Sequence, residues 1–395
     1  MEKGKTSILD NGLLWFGAAV SIAEIMAGTL IAPLGLARGA AAILLGHAIG
    51  CALLYLAGII GARRGLTAME SVRLSFGGKG AMLFSLLNVL QLVGWTAVMI
   101  AGGAKAMGVI AGDGLWGGQG LWSAVIGALI LVWIAVGIKN LGKLNIVAVG
   151  GLFALTVVLS VVVFRGTPAA GAEGAMSFGG AVELSAAMPL SWLPLIADYT
   201  RQAQKPRAAT LASALFYFAG SSWMYIIGLG AALFIGNPDI AAVMAAAGLG
   251  VAGMLIVLLS TVTTTFLDAY SAGVSFQSIM GRASEKWVAA AVGVAGVGLA
   301  VFAPVERYED FLYLIGSVFA PMAAILITDV FLLRKDHSGR AFCVPNLVLW
   351  AVGFAVYRLL LPVETFLGIT LPVMALTSLL CILVERGRKL CLKKS

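Results

Sequence analysis

The chain has 395 residues, of which 61% are hydrophobic and only 11% are charged. A soluble domain of ordinary composition carries about a quarter charged residues, so this composition excludes a soluble globular protein. The four cysteines are scattered and the two histidines stand far apart in the sequence. That distribution argues against both a disulfide framework and a zinc site.

Apolar stretches of about 20 residues recur along the chain, and each is long enough to cross the hydrocarbon core of a lipid bilayer. Hydropathy therefore predicts an all-α polytopic membrane protein with about twelve spans. Because no linker or soluble insert interrupts the pattern, residues 1–395 are expected to form a single membrane domain. The predicted spans are 13–35, 40–62, 82–111, 121–138, 144–164, 180–200, 210–235, 247–278, 287–304, 308–333, 344–361 and 365–384.

The positive charges are divided unequally between the two faces that these spans define. All but five of the 26 Lys and Arg residues fall on the side of the N-terminus. Cytoplasmic loops carry such an excess, so both termini are expected in the cytoplasm and the protein in the inner (cytoplasmic) membrane. The net charge of +8 then follows from membrane topology, and no nucleic-acid partner is expected. The five exceptions are Arg38, Lys105, Arg165, Arg307 and Arg358.

The sixth span reads ELSAAMPLSWLPLIADYTR from Glu183 to Arg201 and contains two prolines. Proline removes a backbone donor and clashes with the preceding turn, so Pro189 and Pro194 are expected to interrupt the helix. Broken backbone at membrane depth is tolerated where protein or a water-filled cavity satisfies it. We therefore interpret the break, with Ser191 and Trp192, as part of a substrate site. The alternative is a spanning helix that is only kinked by proline.

The first span has a comparable interruption in LLWFGAAVSIAEIMAGTLIAPLGLA. Small and hydroxylated residues, including Ser21, precede the acidic Glu24 near its centre. An ionised carboxylate does not face lipid, so Glu24 is expected to point into the bundle and to pair with another group. The alternative for Glu24 is a helix–helix hydrogen bond without a role in substrate binding.

Two other polar residues inside spans are interpreted as structural. His47 in the second span is expected to pack between helices and not to carry protons. Asp198 lies at the cytoplasmic end of the sixth span, where an ion pair or a contact with a helix end is expected.

The third span contains Gln91 and Trp95 in NVLQLVGWTAVM. A separation of four residues places both on one helix face. A tryptophan away from the membrane interface offers a flat wall on which an aromatic heterocycle can stack, and a glutamine supplies directional hydrogen bonds. Helix packing alone is the alternative for this pair.

The eighth span reads LLSTVTTTFLDAYSAG and carries a cluster of hydroxyl groups one turn before Asp268. Sodium is a hard cation that binds oxygen, and transporters with broken helices supply it with hydroxyl groups and freed carbonyls. Threonines in membrane helices also bond back to their own backbone, which is the alternative here. The hydroxyl residues are Ser260, Thr263, Thr264 and Thr265.

These features repeat at an interval of five spans. The first and sixth spans are interrupted, and the third and eighth are long and polar. This spacing predicts two five-helix repeats of inverted topology with a site between them, because an odd number of spans inverts the second repeat. The repeats are expected at about 13–164 and 180–333, followed by two accessory helices at about 344–384.

The motifs DYTR in the sixth span, GW in the third and TTTFLDAYSAG in the eighth resemble those of nucleobase–cation symporter family 1. WFGAAVSIAEIMAGTLIAPLG and PLSWLPLIADYTR are most similar to its bacterial branch of hydroxymethylpyrimidine transporters, which is related to cytosine permeases. The resemblance covers about the first ten spans. It implies the fold of sodium-coupled amine transporters, with a nucleobase-like ring held between spans one, three, six and eight.

The resemblance also implies roles for individual residues. Trp95 is the stacking aromatic, and Asp268 takes a place where relatives often have an amide. Glu24 departs from the family pattern and leaves open whether sodium or a proton is the coupling ion. The implied substrate-binding residues are Gln91, Trp95, Ser191, Trp192, Asp268, Ser21 and Glu24, and the implied cation ligands are Phe16, Ala19, Ser260, Thr263 and Thr264.

The sequence thus predicts a secondary active transporter that imports a pyrimidine-like compound by cation symport with alternating access. Hydroxymethylpyrimidine, a related thiamin precursor and cytosine are the expected substrates, and the lipid bilayer is its setting. The alternatives are a purine, another heterocycle or an amino acid carried by the same fold. An enzyme is disfavoured because no nucleophile–base pair or metal cluster is visible, and no cofactor other than Na⁺ or H⁺ is expected. A channel is disfavoured because no filter-like loop appears.

Overall fold

The computed structural model describes residues 5–112, 117–136, 142–169, 174–237, 239–246, 249–303 and 308–394. Within these residues the chain is helical, and one isolated backbone bridge is its sole extended pairing. The first eight helices are α1 (Ile8–Ala19), α2 (Ile22–Leu30), α3 (Gly35–Arg64), α4 (Ala68–Phe76), α5 (Gly78–Ala111), α6 (Gln119–Val136), α7 (Gly142–Val163) and α8 (Phe178–Ser191). The remainder are α9 (Ile196–Thr200), α10 (Pro206–Gly230), α11 (Ile240–Ala246), α12 (Gly250–Gln277), α13 (Glu285–Phe302), α14 (Tyr308–Ile327), α15 (Val344–Leu360) and α16 (Thr370–Lys394).

Each of the twelve predicted spans coincides with one of these helices or with an interrupted pair. In the described residues, eight helices are long and apolar enough to cross a membrane, and the bent pair α1–α2 makes nine. Two shorter apolar helices lie within α7 and at α15, and α8–α9 forms the second interrupted pair. The all-α multispan prediction is confirmed. The predicted boundaries near 138, 247 and 304 lie outside the described residues.

The first span breaks at Val20 and Ser21, where α1 and α2 meet at an angle of 54°. Ser21 has extended backbone and caps α2 by accepting a hydrogen bond from the N–H of Glu24. Serine followed three residues later by glutamate is a sequence signature of a helix start, and here it restarts a helix at membrane depth. The predicted interruption is therefore observed.

The sixth span breaks later than the prolines predict. Helix α8 continues through Pro189 to Ser191, and Trp192–Leu195 are non-helical before α9 begins. The prediction that Pro189 interrupts the helix is wrong. Gly50 of α3 lies against the proline ring and leaves room for it, because a side chain at this glycine would collide with the ring. Pro194 lies inside the break, as predicted.

Helices α2 and α10 cross at two glycines and approach each other closely. A β-carbon on Gly28 would overlap the backbone of Tyr225, and one on Gly228 would overlap the backbone carbonyl of Ile25. Small residues allow such close helix contacts in membranes, where packing drives helix association. The second half of the broken first span is thus fixed against α10.

Short α4, which the hydropathy pattern did not predict, joins α3 to α5. Thr67 and Glu70 form a capping box at its N-terminus. The carboxyl group of Asp198 accepts a hydrogen bond at 2.9 Å from the N–H of Ala68, the first residue of α4. The interpretation of Asp198 as a helix-end contact matches this hydrogen bond.

His47 lies buried between α3 and α10. Its Nδ1 is 2.9 Å from the carbonyl oxygen of Ile43, and its Nε2 is 2.7 Å from the hydroxyl of Ser221. Both ring nitrogens are therefore engaged in bonds within or between helices, as the interpretation of His47 as a packing residue requires.

The segment before α1 pairs with the segment after α9. Thr6 N–H donates to the carbonyl of Gln202 at 3.1 Å, and Gln204 N–H donates to the carbonyl of Thr6 at 3.0 Å. The start of the first span and the end of the sixth therefore lie together on one side of the molecule, which we call the N-terminal face.

Candidate functional site

A small cavity lies where the two interrupted spans meet α5 and α12, and the space open to a water-sized sphere is about 10 Å³. That is room for about one water molecule, so a ring-shaped solute fits only if the surrounding helices move apart. Its walls come from the first, third, sixth and eighth spans, the four that the sequence singled out. The lining residues are Ser21, Ala23, Glu24, Trp95, Met99, Met188, Trp192, Thr264 and Asp268.

Two tryptophans supply the aromatic part of the lining. Trp95 of α5 and Trp192 in the sixth-span break are each 6% exposed. Trp95 is held edge-on by Phe311, with ring centroids 5.6 Å apart, and Trp192 by Trp15 at the same distance. Because each ring is braced by another aromatic ring, both present fixed apolar surface to the cavity.

Two carboxyl groups also line the cavity, and their surroundings differ. Glu24 accepts hydrogen bonds from the hydroxyl of Ser21 and, at 3.0 Å, from the hydroxyl of Tyr217. Asp268 is 2% exposed, and no group in the described part of the chain hydrogen-bonds to its carboxyl oxygens. The carboxyl of Asp268 therefore has acceptor capacity that the protein itself does not use.

The charges of the lining residues indicate which kind of solute the cavity suits. The residues around the cavity include two acidic side chains and no lysine or arginine. Burial of an ionised carboxylate is costly unless it is paired or hydrogen-bonded. The cavity therefore suits a cation, a proton or a solute rich in N–H donors, and it disfavours an anion.

Gln91 and Ser191 lie beside the cavity and do not line it. The Gln91 amide donates to Oδ1 of Asn88 at 2.7 Å and to the carbonyl of Ser191 at 3.3 Å. Asn88 in turn donates to the carbonyl of Pro194 at 3.3 Å and to the hydroxyl of Ser275 at 2.8 Å. In this conformation the two amides of α5 satisfy carbonyls that the break in the sixth span has freed.

The predicted cation ligands are distributed between α12 and the first-span break. The hydroxyl of Thr264 lies 3.5 Å from the carbonyl oxygen of Ala18 and so connects α12 to the end of α1. Ser260 and Thr263 donate instead to carbonyls of their own helix, at 3.3 Å from Val257 and 2.8 Å from Leu259. A hydroxyl that donates one hydrogen bond keeps lone pairs for a cation, so the donor set suits a hard ion.

The two carbonyls predicted to face the cation are engaged locally. Phe16 accepts from the N–H of Val20, and Ala19 accepts from the N–H of Ser21, both at 3.1 Å. The carbonyl that reaches α12 is that of Ala18. Sequence spacing missed it because the turn at Val20 and Ser21 rotates each carbonyl differently from a regular helix.

An aromatic cluster separates the cavity from the N-terminal face. Trp15 packs edge-on against Trp192, Tyr199 and Tyr217, with centroids 5.6 to 6.0 Å apart. The Tyr199 hydroxyl donates to the carbonyl of Leu267 at 2.9 Å, which fastens α9 to α12. On this side the cavity is closed by packed rings.

Several residues at or near the site were not predicted from the sequence. Met99 follows Trp95 by four residues and could have been found by extending the same helix face. Tyr217 carries no local signal, because its partner Glu24 is 193 residues away in the sequence. Asn88 lies three residues before Gln91 and hydrogen-bonds to it, so the same helix face would also have indicated Asn88. The unpredicted residues are Ala18, Ala23, Asn88, Met99, Met188 and Tyr217.

Comparison with known proteins gives a consistent result. Residues 1–345 match the family described as permeases for cytosine/purines, uracil, thiamine and allantoin. The cytosine permease of Escherichia coli strain K12 is 30% identical over 305 residues, which cover 76% of this chain and 71% of that protein.

The fold matches two solved transporter structures. One is Mhp1, a nucleobase-cation-symport-1 family transporter, in a closed conformation with bromovinylhydantoin bound. It superimposes on this chain with a TM-score of 0.81 at 21% identity, and the match covers 97% of this chain and 94% of Mhp1. A Na⁺-coupled sialic acid symporter in an outward-open state gives 0.70 at 13% identity, with 96% and 88% covered. The inverted-repeat fold predicted from the five-span spacing is confirmed.

Proposed function

Because the chain belongs to nucleobase–cation symporter family 1, we propose that it imports a pyrimidine-like compound by cation symport with alternating access. Membership makes the protein a multispan, cation-coupled transporter of nucleobase-type compounds, and not an enzyme. The proposed substrates are hydroxymethylpyrimidine or a related thiamin precursor, and cytosine.

The observation that carries this proposal is the joint position of Trp95, Trp192 and Asp268 around one buried cavity. Two braced indole rings offer flat surface for an aromatic ring, and stacking of a base on such a ring contributes about 1–3 kcal/mol. The Asp268 carboxyl adds directional acceptors at the edge of the ring. A flat heterocycle with an exocyclic amine satisfies both features.

The difference between the two carboxyl groups favours an amine-bearing ring. Glu24 already accepts from Ser21 and Tyr217, whereas Asp268 has unused acceptors within the described residues. A site built to accept hydrogen bonds from a substrate N–H rejects analogues that lack it, because its buried polar group then stays unpaired. We therefore propose that aminopyrimidines bind more tightly than pyrimidines that carry only oxo groups.

The coupling cation is proposed to bind between the end of α1 and α12. The first candidate ligands are the hydroxyl of Thr264 and the carbonyl of Ala18. Ser260 and Thr263 offer further hydroxyl oxygens on α12. The carbonyls of Phe16 and Ala19, near Ala18 in α1, complete the predicted set. Bound there, Na⁺ would supply positive charge between the two helices. The alternative coupling ion is a proton, and Glu24 is then the residue proposed to bind it.

Coupling then follows from linkage. A cation that holds the first-span break against α12 raises affinity for the ring, and the ring raises affinity for the cation by the same factor, typically equivalent to about 1–3 kcal/mol. Alternating access is proposed to occur by rocking of one bundle against the remainder of the two repeats, 13–164 and 180–333, with both termini cytoplasmic and the protein in the inner membrane.

Uptake by the purified protein in proteoliposomes tests this function. Labelled hydroxymethylpyrimidine, cytosine, adenine and an amino acid are compared under a sodium gradient, a proton gradient and neither. We expect uptake of an aminopyrimidine that depends on one gradient. If only adenine or only the amino acid is taken up under a gradient, the proposed substrate class is wrong. If no ring compound is taken up in a gradient-dependent way, the proposal as a whole is refuted.

A further inference from the structure

We propose that Glu183 and Asp198 are positioning residues that hold the two halves of the sixth span to different helices, so that each half opens the cavity to its own face. This inference rests on the proposed transport function. Glu183 lies in α8 before the break, and Asp198 lies in α9 after it. Each side chain is buried and bonds to the N-terminus of a helix outside the sixth span.

Glu183 fastens α8 to the start of α16. One carboxyl oxygen accepts from the backbone N–H groups of Ile369 and Thr370, both at 2.8 Å. The other accepts from the hydroxyl of Tyr357 at 2.6 Å and from that of Thr370 at 2.5 Å. The first N–H groups of a helix lack partners within the helix, and the positive end of its dipole favours an anion. Glu183 thus binds both accessory helices.

Other contacts strengthen the same attachment. Phe178, the first residue of α8, stacks on Phe366 with ring centroids 5.0 Å apart. Gly368 has a φ of 73° and lies directly against Glu183, so that a side chain there would be both strained and in collision. The beginning of α8 and the turn before α16 therefore form one packed unit on the face opposite the N-terminal face.

Asp198 makes the corresponding attachment for α9. Its Oδ1 accepts from the N–H of Ala68 at 2.9 Å, at the first residue of α4. Helix α4 ends at Phe76, Gly77 joins it directly to α5, and α5 carries Trp95 of the cavity. Both half-helices pack against α3, with Gly50 against Pro189 of α8 and Gly58 against Ile196 of α9. Beyond that shared contact, the hydrogen bond of Asp198 leads towards α5, whereas those of Glu183 lead to the accessory helices.

The break allows these attachments to act separately. Across Trp192–Leu195 the regular helical ladder gives way to turn hydrogen bonds, such as those from Leu193 N–H to Leu190 at 3.1 Å and from Leu195 N–H to Trp192 at 3.0 Å. Pro194 has no N–H to donate, so a rotation of α8 is transmitted to α9 less rigidly than through a continuous helix. Of the cavity residues, Met188 lies in α8 before this joint and Trp192 lies in the joint itself. Loosening one carboxylate is therefore expected to free one half-helix and to admit solvent from one face only.

Sidedness of access to the cavity is the appropriate test. Ala23→Cys places a thiol in the lining of a chain whose four native cysteines are replaced by serine. A membrane-impermeant thiol reagent is applied separately to each face of vesicles with known orientation. Glu183→Gln and Asp198→Asn keep side-chain size and one acceptor oxygen but remove the carboxylate that each residue sets against the N-terminus of a helix.

We expect Glu183→Gln to accelerate labelling about tenfold from the face opposite the N-terminal face, with less than about a twofold change from the other. Asp198→Asn should give the reverse pattern. Asp239→Asn is the matched control, because Asp239 caps α11 outside the sixth span. Equal acceleration from both faces would indicate a general loss of stability and overturn the proposal, as would labelling unchanged in both variants.

Adding hydroxymethylpyrimidine or cytosine separates this inference from the proposed function. Substrate in the cavity should slow labelling of the introduced thiol in the otherwise unaltered protein. If neither ring compound protects the thiol or is transported, the proposed substrate class fails, while the sidedness of the two variants still decides the role of Glu183 and Asp198.

Discussion

The hydroxyl of Tyr217 donates a hydrogen bond to Oε1 of Glu24 over 3.0 Å, which joins α10 to α2 beside the cavity. Both residues are buried, and Ser21 donates to the other oxygen of the same carboxyl. Glu24 thus has a protein partner for each oxygen. These bonds hold the second half of the broken first span in place, and the proposed role of Glu24 in ion coupling depends on that arrangement.

Tyr217→Phe should therefore weaken the protein and its coupling together. Loss of one of two donors leaves a buried carboxyl oxygen unsatisfied, which costs about 1–3 kcal/mol. We expect a lower thermal transition in detergent and a changed dependence of uptake on the ion gradient. Tyr55→Phe in α3 is the matched control. An unaltered transition and unaltered gradient dependence would show that this hydrogen bond is dispensable.

Trp95→Ala should weaken binding of the ring substrate while leaving the protein folded. Loss of one stacking surface costs about 1–3 kcal/mol, or a factor of about 5–150 in affinity, and Trp95→Phe should recover part of it. Trp287→Ala provides the control, because Trp287 is 76% exposed. Binding is measured by isothermal titration, and an unchanged dissociation constant would remove Trp95 from the site.

Asp268→Asn should change which rings are preferred. The amide keeps the size of the side chain but replaces one acceptor oxygen with a donor, so it can pair with an oxo group. We expect weaker uptake of an aminopyrimidine and stronger competition by its oxo counterpart. Competition assays with matched amino and oxo rings measure the ratio directly. A parallel loss for both rings would mean that Asp268 supports the site without reading the ring edge.

Thr264→Val should raise the sodium concentration needed for half-maximal uptake by about tenfold, because it removes the hydroxyl that reaches Ala18. Thr263→Val is the informative comparison, since its hydroxyl donates within its own helix. Uptake is measured against sodium concentration at saturating substrate. Equal effects of the two substitutions would place the cation elsewhere along α12, and no effect of either would favour the proton.

Gly28→Ala should destabilise the protein severely. The added methyl group would overlap the backbone of Tyr225 at the crossing of α2 and α10, so the two helices must separate. Gly298→Ala in α13 meets open space and is expected to be neutral or to stabilise slightly, because alanine favours a helix over glycine. Thermal stability and yield of folded protein distinguish the two, and equal tolerance would contradict the observed crossing.

The fold could be predicted from the sequence because its signals are local and repeated. Apolar length alone placed the twelve spans, and the spacing of interrupted and polar spans indicated the inverted repeat. The failure at Pro189 has a tertiary cause, since the ring is accommodated by Gly50 of another helix. Helices α4 and α11, with nine and seven residues, are too short for a hydropathy window to find.

The site was predictable to the extent that its residues are conspicuous. Five of the predicted residues are polar or aromatic side chains inside apolar spans, where contact with lipid does not explain them. All five line the cavity: Glu24, Trp95, Trp192, Thr264 and Asp268. Predicted contacts were less reliable than predicted positions. Whether an amide or a carbonyl faces the cavity depends on the rotation of the broken backbone, which residue spacing does not specify.

The pairing of Thr6 with Gln202 and Gln204 has a practical consequence for producing the protein. Thr6 is separated from α1 only by the N-cap residue Ser7, so a tag or fluorescent domain attached close to Thr6 would crowd the segment that follows α9. Fusion at the far end of α16, or behind a long flexible spacer at the N-terminus, leaves this pairing intact. Labels for transport assays therefore belong at one of these positions, because a label that disturbs the pairing alters the behaviour it is meant to report.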